Sequence, residues 1–83
     1  MIRVLVVDDS ASVRELVVRL LRADGRFEVV ATAADGEEAV VMTTRHRPDV
    51  ITMDVHMPGL DGLQAIRRIM ADFILGNSPS FSR

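Results

Sequence analysis

Three short apolar runs, each followed by a segment of helical periodicity, limit what this chain can fold into. Residues 2–7, Ile-Arg-Val-Leu-Val-Val, are apolar except at Arg3. A Val-rich run of that kind reads as a strand buried on both faces, the pattern of a parallel sheet. Ser10 is a good helix N-cap. Val13, Leu16, Val17, Leu20 and Leu21 then recur at helical spacing, with Arg14, Glu15, Arg19 and Arg22 on the outer side. Gly25 supplies the stop. Residues 27–32 read as a second strand. The Asp35–Glu38 spacing is close to a capping box and predicts a helix from about Gly36 to Arg45, ended by Pro48. Residues 50–54 form the third apolar run, and Met57-Pro58-Gly59 is a loop. A third helix should bury Leu63, Ile66, Ile69 and Met70 and expose Arg67 and Arg68. The order β-α-β-α-β-α predicts a parallel α/β sheet with right-handed crossovers. Residues 1–71 make up this core of three strand-helix units. Residues 72–83, rich in Gly, Asn, Ser and Pro, read as a divergent tail, either a strand stub or flexible.

Carboxylates stand where two of these strands should end: Asp8 and Asp9 after the first, Asp54 after the third. If those strands are parallel neighbours, the three acids share one site at the carboxyl edge of the sheet, where open α/β folds bind ligands. Clustered carboxylates repel, and a hard divalent cation such as Mg²⁺ is the usual remedy. Taken alone, Asp8-Asp9 reads better as a solvated strand-end pair, with Asp9 or Ser10 simply capping the following helix.

Composition removes several classes of function. The chain has 83 residues, enough for one small domain, with a net charge of -2. There is no basic run, and the only aromatic residues are Phe27, Phe73 and Phe81, so no nucleic-acid surface is expected. No apolar run is long enough to cross a bilayer. The acids after the first apolar run argue against a signal peptide, so a cytoplasmic location is expected. Without cysteine, disulfides and thiolate metal sites are excluded. All ten basic residues are Arg.

The strings Val4-Leu5-Val6-Val7-Asp8-Asp9-Ser10 and Ile51-Thr52-Met53-Asp54-Val55-His56-Met57-Pro58-Gly59-Leu60-Asp61-Gly62 together resemble the receiver domain of response regulators. The nearer resemblance is to the N-terminal receiver of CheB-type chemotaxis protein-glutamate methylesterases. It covers residues 1 to about 71. It implies a doubly wound, flavodoxin-like (CheY-like) parallel sheet, of which the first three strand-helix units are recognisable. It also implies that Asp54 is both the phospho-acceptor and a metal ligand, Asp9 a direct Mg²⁺ ligand and Asp8 an acid acting mainly through a metal-bound water. The backbone carbonyl of His56 would complete the metal site, and Pro58 and Gly62 would shape the loop. The implied partner is a histidine kinase, with the chemotaxis type as one option. The family's strand-five lysine, which pairs with the phosphoryl oxygens, has no counterpart because the chain contains no Lys. No methylesterase domain or Ser-His-Asp machinery is expected, so the chain reads as a receiver and not an enzyme.

Two other functions compete. One is a phosphorylation-independent oligomerisation or docking module on a receiver-like core. Its basis is the third strand, whose outer edge would be open and apolar without a fourth and would invite a homo-oligomer. The other is a haloacid-dehalogenase-type phosphatase, which needs a D-x-D spacing where this chain has Asp8-Asp9-Ser10. His46 beside Arg45 and Arg47 reads as a helix-end cation, and Met42, Met53 and Met70 read as core filler.

Overall fold

A computed structural model describes residues 1–53, 62–72 and 80–82. The elements follow in the order β1 (Ile2–Val7), α1 (Ala11–Ala23), β2 (Phe27–Ala33), α2 (Gly36–His46), β3 (Val50–Met53), α3 (Gly62–Asp72) and β4 (Ser80–Ser82). The strands form one sheet in the order β2-β1-β3-β4, and every described pairing is parallel. This is the start of a flavodoxin-like doubly wound sheet, as the resemblance implies. The chain leaves β1 towards β2, then crosses back over it to β3. The carboxyl ends of β1 and β3 therefore form a topological switch point.

β1 is central. Val4, Leu5, Val6 and Val7 are all buried, because side chains from successive positions enter opposite faces and both faces are covered. On one face Leu5, Val7, Ile51 and Met53 pack with Ala33, Ala39, Val40, Ala65 and Ile69, from β2, α2 and α3. Thr43 is buried there too, and its hydroxyl donates to the Ala39 carbonyl at 2.7 Å, so the burial leaves no orphaned group. Near the amino ends of β1 and β3, the Arg3 N–H donates to Asp49 Oδ2 at 2.9 Å. The Asp49 N–H returns a bond to the Arg3 carbonyl at 2.8 Å. The β1–β2 register shifts between Val4 and Leu5, from Val4↔Val29 to Leu5↔Ala31, which leaves Val30 as an extra residue.

Several expectations need correction. The outer edge of β3 is not open: Val50, Ile51 and Thr52 pair with Ser80, Phe81 and Ser82. The reasoning that called for oligomerisation through that edge loses its premise, and residues 80–82 form a short fourth strand. α1 has the expected boundaries but buries no residue. Val13, Leu16 and Leu20 are 43%, 51% and 63% exposed. The reason is geometric. Among the described residues α1 rests chiefly on β2 and β1, so half of its apolar stripe has no described neighbour. Arg14, expected outside, is half-buried. In α3, Ala65 and Ile69 are buried and Ile66 is partly so, but Met70 is exposed. Met53 does fill the core, and Met42 packs against it. α2 is capped at its carboxyl end by Arg47, which adopts a left-handed conformation (φ 46°) before Pro48. Among the described residues no helix is long and apolar enough to cross a membrane.

Candidate functional site

Among the described residues, the turn from β1 into α1 is tied down at every polar group of Asp8 except one carboxylate oxygen. Its N–H donates to the Ala33 carbonyl at 3.1 Å, carrying the β1–β2 ladder one residue past the strand. Its Oδ1 accepts from the Ser10 N–H at 2.9 Å, closing an Asx turn. Its carbonyl accepts from Arg14 Nη1 at 2.7 Å. Ser10 is extended (φ -86°, ψ 116°) and caps α1, its Oγ accepting from the Val13 N–H at 3.3 Å. The capping function foreseen for this segment therefore falls to Ser10. Asp8 is half-buried and Asp9 is exposed.

The pairing of β1 with β3 ends at Val7↔Met53. Asp8 follows Val7 in the sequence and Asp54 follows Met53. The two strands that should carry the acids are thus parallel neighbours in register at their carboxyl ends, as the shared-site reading requires. Asp54, His56 and Pro58 lie outside the described residues. Among the described residues neither Asp8 nor Asp9 belongs to an ion pair; the pairs are Arg26–Asp24 at 2.6 Å and Arg68–Glu37 at 3.5 Å, both at the surface. No group of three or more His, Cys, Asp or Glu side chains that could hold a metal occurs among the described residues. The third acid of the expected set is Asp54. The donors that Asp8 and Asp9 offer are carboxylate oxygens with no ion-pair partner among the described residues, a chemistry that suits Mg²⁺ and not a soft metal.

Arg14 is the residue that the sequence analysis missed. Its periodicity placed it on the outer face of α1, where a solvated arginine is ordinary. A helical side chain leans toward the helix N-terminus, however, and a long one in the first turn can reach back to the strand end it follows. Six positions separate Asp8 from Arg14, and that spacing across a strand-turn-helix junction was the available signal.

Comparison with known proteins agrees with this geometry. Residues 4–75 match the response regulator receiver domain. A protein-glutamate methylesterase/protein-glutamine glutaminase of Geobacter metallireducens is 59% identical over 70 residues, spanning 84% of this chain and 20% of that protein. The chain thus spans about a fifth of the length of the curated relatives it matches. The response regulator domain of Thermotoga maritima CheB superposes with a TM-score of 0.83 at 46% identity, covering 86% of this chain and 53% of that one. A CheX-CheY-BeF3-Mg complex from Borrelia burgdorferi gives a TM-score of 0.82 at 35% identity, covering 90% of this chain and 57% of the matched chain. A sheet ordered β2-β1-β3-β4, an acid following each of β1 and β3 in the sequence, and a family match over most of its length place this chain in the response regulator receiver domain family of two-component signalling, with CheB-type chemotaxis receivers among its relatives.

Proposed function

We propose that this chain accepts a phosphoryl group on Asp54 from the phosphohistidine of a histidine kinase, at a site where Asp8, Asp9 and the His56 backbone carbonyl hold Mg²⁺. The observation that carries the proposal is the parallel register Val7↔Met53, which sets the two acid-bearing strand ends side by side. Receivers of this family generally bind Mg²⁺ at the phosphorylation site. The related CheY of Borrelia burgdorferi forms a crystalline complex with CheX, BeF3 and Mg²⁺. A carboxylate oxygen of Asp54 attacks phosphorus in line as the P–N bond to the donor imidazole breaks. The imidazole leaves with the bonding electron pair and takes up a proton, and Asp54 becomes an acyl phosphate. When bound, Mg²⁺ supplies charge neutralisation for the phosphoryl oxygens. Asp8 and Asp9 hold the metal and transfer no proton. Asp8 keeps Oδ2 for this work while Oδ1 secures the turn.

A second reading is a docking module on the same core whose acid pocket takes no phosphoryl group. The two readings separate on a phosphate-retarding gel after incubation with Mg²⁺ and a small acyl-phosphate donor or a histidine kinase. An acceptor gives a shifted band that Asp54→Asn abolishes. No Asp54-dependent shift leaves the docking module.

A further inference from the structure

We propose that Arg14 is a positioning residue for the metal site: by holding the Asp8 carbonyl it fixes the peptide that aims Asp9. The inference rests on the proposed Mg²⁺ site. Asp9 is exposed, and its backbone is tied on both sides. On its amino side the Asp8 carbonyl accepts from Arg14 Nη1 at 2.7 Å. On its carboxyl side the Ser10 N–H donates to Asp8 Oδ1 at 2.9 Å. The Asp8 N–H is itself fixed by the Ala33 carbonyl. The Asp8–Asp9 peptide plane can turn only if the Arg14 bond breaks, and turning it swings the Asp9 side chain. Mg²⁺ demands near-ideal octahedral geometry, so its affinity is sensitive to such a swing. Charge acts in the opposite direction, because the guanidinium bonded to the Asp8 carbonyl disfavours a cation bound nearby. That effect is weakened by solvent at a half-exposed arginine, and groups that orient metal ligands are commonly worth about 10- to 100-fold in affinity.

The test measures Mg²⁺ affinity of the full chain by competition against Mn²⁺, read from the electron paramagnetic resonance signal of free Mn²⁺. The variants are Arg14→Met, Arg14→Gln and Arg14→Lys. Met and Gln lack a donor long enough to reach the carbonyl, whereas the Lys ammonium has both charge and reach. Arg14→Gln carries the comparison if Arg14→Met does not fold, and melting in chelator verifies the fold of each. The expected result is a rise in the Mg²⁺ dissociation constant of about tenfold for Met and Gln, with Lys within about threefold of the parent. Asp54 labelling at saturating Mg²⁺ should stay within about twofold of the parent in every variant, because saturating metal overcomes an affinity defect. Parent-like or tighter binding by Arg14→Met or Arg14→Gln would overturn the inference, and so would an Arg14→Lys variant as weak as they are. A parent that binds Mg²⁺ but is never labelled on Asp54 refutes the acceptor function and leaves the Arg14 inference standing. A labelled parent with indifferent Arg14 variants does the reverse.

Discussion

Deleting the same three carbons from two apolar side chains should have very different costs in this fold. Ile51 is fully buried in the cluster with Leu5, Val7, Ala65 and Ile69, whereas Leu16 on α1 is 51% exposed. At about 0.8 kcal/mol per buried CH₂, Ile51→Ala loses about 2.4 kcal/mol of transfer energy. The cavity left at the sheet centre raises the total to about 3–4 kcal/mol. Leu16→Ala loses about half of the transfer energy, ~1.2 kcal/mol, and leaves no enclosed cavity because solvent fills the space. For 83 residues at about 0.05–0.15 kcal/mol each, the stability at stake is about 4–12 kcal/mol. Ile51→Ala therefore removes a quarter or more of it. Urea unfolding followed by far-ultraviolet circular dichroism measures both variants. With a slope of about 1 kcal/mol/M, the midpoint should fall by about 3 M for Ile51→Ala and by about 1 M for Leu16→Ala. Equal losses would refute the reasoning, because they would mean that the α1 stripe is buried in solution. If the Leu16→Ala loss grew with protein concentration, the covering surface would be another copy of the chain.

Two smaller predictions concern local electrostatics. Asp24 is held down to about 2, from an ordinary 3.8, first by the Arg26 side-chain hydrogen bonds and then by the Arg26 N–H. Because the folded value is depressed, the stabilisation is present above 3.8 and fades as pH falls from there towards 2. An NMR titration of the Asp24 carboxyl should show that low midpoint and its return towards 3.8 in Arg26→Gln; an unmoved midpoint would contradict the cause. Asp35 caps α2, its Oδ1 accepting from the Glu38 N–H at 2.8 Å. Asp35→Ala should cost about 1 kcal/mol in the same urea assay, and a neutral result would show that the cap bond is not formed in solution.

Much of the fold could be read from the chain because the signals were local. β1 is a Val-rich run that ends at an acid pair, and its boundaries came out as expected. The Asp35 cap and Pro48 bracket α2, which runs one residue beyond the expected end. The misses share a different cause: they depend on what lies beside an element. Periodicity showed that α1 has an apolar face but could not show that, among the described residues, chiefly β1 and β2 meet it, leaving Leu16 and Leu20 exposed. A Ser-Pro-Ser-Phe-Ser segment has little strand propensity of its own. Ser80–Ser82 form β4 because β3 offers an unsatisfied ladder. The Val30 bulge likewise arises from matching β2 to β1 and leaves no mark in either sequence alone. At the site, the sequence located the Asp8–Asp9 strand end, and its neighbour across the sheet emerged from the β1–β3 register. Arg14 escaped notice because its function lies in a bond to a backbone carbonyl, which side-chain patterning does not encode.

The most direct test of the acceptor function is to find where a phosphoryl group lands. The chain is incubated with a small acyl-phosphate donor and Mg²⁺, any acyl phosphate is reduced with borohydride to homoserine, and the peptides are mapped by mass spectrometry. Homoserine should appear at position 54 alone. It should require Mg²⁺ and disappear in both Asp54→Asn and a variant with Asp8 and Asp9 replaced by Asn. Homoserine at another carboxylate, or undiminished labelling of Asp54 in chelator, would contradict a metal-dependent acceptor built on the β1 and β3 strand ends.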